Sequence, residues 1–409
     1  MSETKFTVST SPHIRDGENI PRIMWRVNLV LAPAAIIGII FFGWPAAVML
    51  ALCIGGSVGA EALIRKLVRK KVTVGDGSAF LTGLLLAMCV SPMIVYPSSA
   101  VVQRYTPSLG SAIATVFAMN LYVPLLGAFF AIAFAKQMFG GLGNNIWNPA
   151  LAGRAFMLAA YALLVTGVWP NIEKIKYPGR EEVAATTGAT IRAERKKLIA
   201  LSRAGEGPFA PGAAAREEDA KADPTERMKE IDSMVIERKV ADPKVKQNKW
   251  LWYGRLLIGY RDGSLGETCG LWLIIGGIIL IALRYIDWRI PVFFIGTAVF
   301  LGWLLPVRVV GGTSPLWMAG DPLFELLSGG LLLGAFFMAT DMVTSPITKK
   351  GKVIFGVGCG LLTALIRVYG GYPEGVCYAI LLMNTAVPLI DRFTRPRVFG
   401  TGLEPSKQT

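Results

Sequence analysis

The apolar stretch Phe80-Leu-Thr-Gly-Leu-Leu-Leu-Ala-Met-Cys-Val-Ser-Pro92 decides the fold, because the second half of the chain repeats its pattern. The counterpart is Leu333-Gly-Ala-Phe-Phe-Met-Ala-Thr-Asp-Met-Val-Thr-Ser-Pro346, and both stretches carry a glycine among apolar residues before a final Ser-Pro. Later in each half an asparagine stands near a proline, at Asn148-Pro149 and at Asn384-Thr-Ala-Val-Pro388. Chance similarity between apolar segments is the alternative. We expect a duplicated fold with a site where the two halves meet.

The composition indicates a membrane protein. Of the 409 residues 53% are hydrophobic and only 17% are charged, which is too little charge to cover the surface of a soluble chain. A transmembrane helix needs about 20 apolar residues. Stretches of this kind run near residues 23–43, 45–64, 78–96, 111–135, 150–168, 268–286, 289–306, 326–343, 353–369 and 375–391. The predicted fold class is therefore an all-α membrane protein of about ten transmembrane helices in two related five-helix halves.

The predicted organisation follows from these stretches and the polar residues between them. It comprises an N-terminal segment 1–22, a first half 23–168, a polar loop 169–250, a second half 251–391 and a tail 392–409. Residues 191–250 are rich in Lys, Arg, Glu and Ala, which is typical of solvated helix and linker.

Basic residues in the short loops predict the orientation. If the N-terminus is cytoplasmic, eleven of them lie in cytoplasmic loops and three in outer loops. The cytoplasmic residues are Arg65, Lys66, Arg69, Lys70, Lys71, Lys136, Arg284, Arg289, Lys349, Lys350 and Lys352, and the outer ones are Arg104, Arg308 and Arg367. We expect cytoplasmic termini and an outer 169–250 loop, since long loops translocate regardless of charge. The same bias explains the net charge of +14 without a nucleic-acid partner.

Cysteine and histidine usage excludes several metal sites. The five cysteines, Cys53, Cys89, Cys269, Cys359 and Cys377, are scattered singly and form no CxxC pair. The one histidine, His13, lies in the polar N-terminal segment. We therefore expect no iron–sulfur, zinc or haem site made by this chain, and we interpret the cysteines as packing residues.

Few polar groups in the apolar segments are candidates for chemistry. Asn145 and Asn148 are three residues apart, so they share a helix face, and each amide offers donors and an acceptor. Helix capping by Asn148 and recognition of a planar polar ring by both are equally good interpretations. Asp341 is an ionisable group at the end of a span, a position that favours function unless water solvates it. Six further acids sit near span ends and are expected to be mostly interfacial: Glu61, Asp76, Glu267, Glu325, Glu374 and Asp391.

The outer loop contains one small-residue motif, Ala184-Ala-Thr-Thr-Gly-Ala-Thr190. Its small side chains leave the Thr190 hydroxyl open to another enzyme, as a modification site requires. An ordinary turn is the alternative.

The assembled motifs resemble the D subunits of Rnf electron-transport complexes and, more distantly, the B subunits of Na+-translocating NADH:quinone reductases. The resemblance runs over almost the whole chain. In the first half it rests on Ser11-Pro-His13, Arg22-Ile-Met24, Phe41-Phe-Gly-Trp44, Ser78-Ala-Phe-Leu-Thr-Gly-Leu-Leu-Leu-Ala87 and Gly140-Gly-Leu-Gly-Asn-Asn-Ile-Trp-Asn-Pro-Ala150. In the second half it rests on Gly263-Ser-Leu-Gly-Glu-Thr268, Leu333-Gly-Ala-Phe-Phe337, Gly370-Gly-Tyr-Pro-Glu-Gly375 and Pro388-Leu-Ile-Asp391. The ending Thr394-Arg-Pro-Arg-Val-Phe-Gly400 favours the Rnf subunits.

The resemblance implies two flavins. One is FMN joined to Thr190 through a phosphoester that a flavin transferase installs, with Thr187, Gly188 and Ala189 completing the motif. The family pattern is Asp-Gly, any residue, Ser-Gly-Ala-Thr; this chain has Ala184-Ala185 for Asp-Gly and Thr187 for Ser. The other is riboflavin, held non-covalently near the cytoplasmic side by residues that match Asn145, Asn148 and Asp341.

The resemblance also implies a function. It describes a flavin-bearing subunit that carries electrons across a bacterial or archaeal cytoplasmic membrane while Na+ or H+ crosses. The implied partners are the other Rnf subunits, the flavin transferase and membrane lipid. The chain has no Rossmann glycine motif and no iron–sulfur ligand set, so NAD+ and ferredoxin are expected to bind partner subunits, and the chain alone is not expected to be an enzyme.

The alternative, from another functional class, is a solute channel or transporter, because the family's fold is similar to that of urea transporters. A transporter has no use for a flavin, so the presence of flavin separates the two.

Overall fold

The computed structural model describes residues 18–95, 120–161, 165, 198–199, 229–234, 249–259, 264–306, 317–318, 320–370 and 375–395. Within these ranges the regular structure is helical. The α-helices are α1 (Ile20–Phe42), α2 (Trp44–Leu67), α3 (Ser78–Met88), α4 (Tyr122–Ile132), α5 (Pro149–Ala160), α6 (Lys249–Ile258), α7 (Gly270–Ala282), α8 (Arg289–Leu304), α9 (Pro322–Leu327), α10 (Leu331–Leu333), α11 (Lys349–Tyr369) and α12 (Val376–Phe393). Two π-helical turns, Ala133–Gln137 and Gly334–Met338, continue α4 and α10.

The lengths of these helices support the predicted fold class. The helices α1, α2, α11 and α12 are long and apolar enough to cross a membrane. Shorter apolar helices occupy the predicted stretches near 78–96, 111–135, 150–168, 268–286 and 289–306. The chain is a membrane protein whose described residues form helices and no strands, while the count of ten spans and the domain boundaries stay predictions.

The first two helices show how the sequence sets the ends of a span. Asn19 caps α1 by accepting a hydrogen bond from Arg22 N (2.9 Å), and Pro21 lies in the first turn, where its missing N–H is harmless. Gly43 separates α1 from α2 with φ of 71°, a value that glycine tolerates and other residues rarely adopt. Arg65 and Lys66 lie in the last turn of α2, where cations complement the helix dipole.

The repeated apolar stretches are interrupted helices in both halves. The first begins after Asp76, whose carboxylate accepts from Ser78 N (2.8 Å). The second follows α9, a short helix capped by Asp321, whose carboxylate accepts from Leu323 N and Phe324 N (both 3.1 Å). A carboxylate acceptor at a helix end satisfies backbone donors that the helix leaves free, and lipid offers no substitute partner.

Packing partners recur in the two halves. In the first half α2 packs against α3 and α4, and α4 packs against α5. In the second half α8 packs against α9 and α11, and α11 packs against α12. Between the halves α1 contacts α7 and α5 contacts α12, so helices in matching positions face one another. This pattern supports the predicted duplication.

The glycines of the repeated stretches allow close helix contacts. A Cβ atom on Gly83 would lie 2.5 Å from the carbonyl oxygen of Cys53 in α2. A Cβ atom on Gly334 would lie 2.3 Å from Cγ1 of Val376 in α12. Small residues at helix interfaces let backbones approach and increase packing in a membrane. Each glycine therefore fixes its segment against a long helix of its own half.

We predict that Gly83→Ala destabilises the protein by about 1–3 kcal/mol, because the added methyl group meets backbone that cannot move aside. The matched control is Gly55→Ala in α2, where a Cβ atom would meet nothing within 4 Å. That control should be neutral or stabilising by up to about 1 kcal/mol, since alanine favours helix. Thermal denaturation of both variants in detergent is the measurement, and equal midpoints would contradict the packing role.

Candidate functional site

A cavity opens where the halves meet. It spans about 800 Å³ of space between atoms, including the solvent at its open mouth. Its apolar walls come from α1, α3, α7 and the second π turn, and its polar groups come from several loops and turns. The polar lining residues are Ser78, Thr82, Lys136, Asn145, Asn148, Tyr285, Thr340 and Asp341. The structure thus brings Asn145, Asn148 and Asp341 into one cavity. The expectation that the two asparagines share a helix face is wrong, because Asn145 lies in the loop before α5 and Asn148 is the N-cap of that helix.

Asn148 is a helix cap that also joins the two halves. Its Oδ1 accepts from Ala150 N (3.0 Å) and Leu151 N (3.4 Å), and Pro149 opens α5. Its Nδ2 donates to the carbonyl oxygen of Met338 at 3.2 Å. The capping interpretation is therefore confirmed, and the ring-recognition interpretation stays open, because the same residue lines the cavity.

The other repeated asparagine meets the first. Asn384 is buried in α12, and its amide, oriented to satisfy both ends, accepts from Asn148 N and donates to the Thr344 carbonyl, each at 3.2 Å. The two asparagines that the sequence singled out thus bond to each other across the halves. They fix the entry of α5 against the segment that carries Asp341.

Asn145 is the cavity residue whose bonding is least complete. Its side chain is 6% exposed, and its Nδ2 donates to the carbonyl oxygen of Trp147 at 3.3 Å. Its Oδ1 is buried and has no hydrogen-bond partner within the described part of the chain. A buried acceptor without a partner costs about 1–3 kcal/mol unless something else satisfies it. Asn145 therefore offers a built acceptor to an occupant of the cavity.

Asp341 lies just after the second π turn and is half-buried. Its carboxylate accepts from Thr344 Oγ1 (3.2 Å) and Val343 N (3.4 Å), and the Asn145 amide is a hydrogen-bonding neighbour. These bonds hold the carboxylate at the cavity wall rather than in solvent. The expectation that Asp341 sits at the end of its helical segment is correct.

Both π turns contribute to the cavity. The first is closed by the bond from Met138 N to Ala133 O (2.9 Å), and the second by the bond from Ala339 N to Gly334 O (2.7 Å). Such turns are rare and frequent at functional sites. The first brings Lys136 to the cavity, and the second brings Phe336 and Phe337.

The positions of Lys136 and Glu61 differ from what the sequence predicted. Lys136 does not lie in a loop: it lies in the first π turn and is 1% exposed. Glu61 is not interfacial: it is fully buried, and its carboxylate bonds to Lys136 Nζ at 2.8 Å. In sequence Lys136 stands at the end of an apolar stretch and has no acid nearby, so no local pattern indicates the ion pair.

Two other acids and one arginine also differ from the expectation, whereas Asp391 agrees with it: Asp391 is half-buried near the end of α12 and accepts from Ile347 N at 3.1 Å. Glu325 is buried and pairs with Arg367 at 3.3 Å, and that arginine lies within α11 rather than in an outer loop. Glu267 is buried and accepts from Ser264 Oγ at 3.0 Å. Burial of an acid in a membrane segment requires such partners, because an unpaired charge is costly there.

Beside the cavity an ion cluster ties the loop between α7 and α8 to α11. Asp287 follows the lining residue Ile286 and bonds to Arg289 and Lys352, each at 3.1 Å. Burial by itself would raise the pKa of Asp287, but the hydrogen bonds from Arg289 and Lys352 outweigh it and lower the pKa. The carboxylate is therefore charged at neutral pH.

Several predicted residues cannot be placed. Thr187, Gly188, Ala189 and Thr190 lie outside the described residues, as does Glu374. The five cysteines are described, and all are buried and free of disulfides. Within the described ranges no group of histidine, cysteine or acidic residues could hold a metal ion.

Comparison with known proteins gives consistent matches over the chain. The model of the NQR2, RnfD, RnfE family matches residues 7–122 and 111–400. The chain is 40% identical over 396 residues to the D subunit of the proton-translocating ferredoxin:NAD(+) oxidoreductase complex of Clostridium ljungdahlii (97% of this chain, 96% of the relative). It is 36% identical over 402 residues to the D subunit of the Na(+)-translocating ferredoxin:NAD(+) oxidoreductase complex of Acetobacterium woodii (98% and 97%). It is 35% identical over 389 residues to the D subunit of the ion-translocating oxidoreductase complex of Stutzerimonas stutzeri (93% and 92%).

We predict that Asn148→Ala destabilises the protein more than Asn148→Ser does. The serine keeps the cap acceptor and loses the donor to Met338, whereas alanine loses both bonds. The difference between the two variants should be about 1 kcal/mol, the usual worth of a cap. Thermal denaturation in detergent measures it, and indistinguishable variants would mean that the cap contributes nothing here.

Proposed function

The chain belongs to the NQR2, RnfD, RnfE family, and from this membership we propose that it is the flavin-bearing membrane subunit of an ion-translocating ferredoxin:NAD+ oxidoreductase complex. In this proposal it passes electrons across the membrane while Na+ or H+ is transported. Two relatives that match more than 90% of the chain are named as D subunits of such complexes, and a third is named as the D subunit of an ion-translocating oxidoreductase complex. The names include both a proton-translocating and a Na+-translocating complex, so similarity favours neither ion.

The observation that carries the flavin part is the convergence of Asn145, Asn148 and Asp341 on one cavity. The family resemblance assigns these positions to a non-covalent riboflavin, and Asp341, which lies in the other half of the chain, meets the two asparagines only through the packing of the halves. Their meeting is what a binding site for that flavin needs. We therefore assign riboflavin to this cavity.

The residues present fit such a group. A flavin has a flat, largely apolar ring system with a hydrogen-bonding edge and a chain of hydroxyls. The walls formed by Phe336, Phe337 and leucines suit the rings. Asn145 offers an acceptor without a partner, and Asp341 offers a carboxylate for hydroxyl or ring N–H groups. When bound, the flavin would supply electron acceptance and donation, which no side chain of this cavity provides.

A covalent FMN on Thr190 is the second part of the proposal. It rests on the intact Gly188-Ala189-Thr190 motif and on the loop charges, which favour an outer position for 169–250. Moving Lys136 and Arg367 out of the loop count leaves ten basic residues against two, so the predicted orientation is unchanged. A flavin transferase would form the bond between the Thr190 hydroxyl oxygen and the FMN phosphate by breaking the phosphoanhydride bond of a flavin dinucleotide; the nucleoside monophosphate leaves and the hydroxyl proton is released.

The proposal assigns the substrates to partner subunits. NAD+ and ferredoxin would bind other subunits of the complex, because this sequence has neither a Rossmann glycine motif nor an iron–sulfur ligand set. The role left to this chain is to hold flavins and tune their electronics. It would be part of a translocating oxidoreductase and inactive alone.

We predict that Thr190→Ala removes the covalent flavin. In a denaturing gel under ultraviolet light, the native chain should give a fluorescent band and this variant a dark one. Thr186→Ala is the matched control, because the family motif accepts any residue at that position, and it should stay fluorescent. A dark native band from cells that express the transferase would contradict this part and favour the transporter alternative.

We predict that Asp341→Ala lowers the content of extractable riboflavin and leaves the covalent band unchanged. Loss of a hydrogen bond to a charged group costs about 1.5–3 kcal/mol, which is roughly tenfold or more in affinity. Asp287→Asn is the control, since Asp287 does not line the cavity. Riboflavin released by denaturation is separated from FMN by chromatography, and an unchanged ratio of riboflavin to protein would refute the assignment.

A further inference from the structure

A buried ion pair lies at one wall of the cavity. The Nζ atom of Lys136 is 2.8 Å from Glu61 Oε2 and 2.6 Å from Ser78 Oγ. Lys136 and Ser78 both line the cavity, whereas Glu61 does not. The ammonium group therefore lies at the cavity wall with its counterion behind it.

Other groups besides Lys136 bind the Glu61 carboxylate. Its Oε1 accepts from Gln137 Nε2 (3.1 Å) and Thr73 Oγ1 (3.2 Å), and the Arg65 guanidinium lies 3.5 Å from the same oxygen. One carboxylate thus serves two cations. Asp76 accepts from Ser78 Oγ at 2.6 Å and is only half-buried, so water screens it more than it screens Lys136. Of the four charged groups in this cluster, Lys136 lines the cavity, whereas Glu61, Arg65 and Asp76 do not.

Stability alone does not explain the pair. Removing two charges from water is costly, and well-packed apolar residues often stabilise as much as a buried ion pair does. The second buried pair, Glu325 with Arg367, lies away from this cavity. The π turn that carries Lys136 inserts an extra residue into the helix and so redirects the side chains that follow. Both features are accounted for if the cavity needs the cation.

We propose that Lys136 sets the reduction potential of the flavin in this cavity, with Glu61 adjusting how strongly the ammonium acts. The inference rests on the proposed function, since it assumes that riboflavin occupies the site. Each electron that the ring accepts from the redox partners of the complex without a proton adds one negative charge to it. A cation at the wall stabilises that charge and favours the reduced form.

The test is a redox titration of the flavin in the full-length chain carrying Thr190→Ala, which removes the covalent flavin and leaves one flavin to titrate. Lys136→Met should lower the midpoint potential and Glu61→Gln should raise it, whereas Lys136→Arg should stay near the parent value. A tenfold change in relative affinity for the reduced form corresponds to 59 mV for one electron. Glu325→Gln is the matched control, a buried acid of the other pair, and should leave the potential unchanged.

The double variant Glu61→Gln/Lys136→Met is the control for misfolding, because it removes both buried charges and leaves neither unpaired. Its potential should lie below that of Glu61→Gln alone, because only the ammonium differs between them. Equal potentials for these two, or the same shift in Glu325→Gln, would overturn the role of Lys136 while leaving the flavin site in place. Loss of riboflavin from every Lys136 and Glu61 variant would also overturn it, since the pair would then be structural. A parent chain without riboflavin would instead refute the proposed function and, with it, this inference.

Discussion

The structure depends on one constraint: inside a bilayer each backbone polar group and each charge must find its partner within the protein. Long helices such as α1 and α2 meet this requirement by themselves. The interrupted segments cannot, and their ends are satisfied by side chains. Asp321 and Asn148 cap α9 and α5, and Asp76 accepts from the first backbone N–H of α3. Helices can therefore end at the cavity without leaving backbone groups unbonded. The loops and turns between them supply the polar side chains that line the cavity.

The same constraint explains how much the sequence could predict. Apolar stretches of spanning length are visible in composition, and each predicted stretch contains a helix. Their interruptions are less visible, because a π turn such as Ala133–Gln137 has no signature beyond ordinary helix-forming residues. Asn145, Asn148 and Asp341 are identifiable from amide spacing, an ionisable group in an apolar setting, and family resemblance. Their convergence requires the packing of two halves, which no local pattern contains.

The buried ion pairs could not be predicted from sequence, and Lys136 shows why. In sequence it stands at the end of an apolar stretch next to a glycine-rich loop, where a solvated lysine is ordinary. Its burial depends on Glu61, which lies 75 residues earlier and on another helix. Charge pairing over such a distance in sequence is decided by the packing of α2 against α4. Glu325 and Arg367 were expected near the membrane surface for the same reason, because their pairing also depends on how the helices pack.

The bond between Asn148 and the Met338 carbonyl has a consequence for biogenesis. It joins residues 190 positions apart, one in each half, and Asn384 adds a further link from the last helix. A chain emerging from the ribosome inserts its first helices long before residue 338 is made. The cavity walls can close only after the second half has entered the membrane. Binding of any ligand in the cavity is then a late event in assembly.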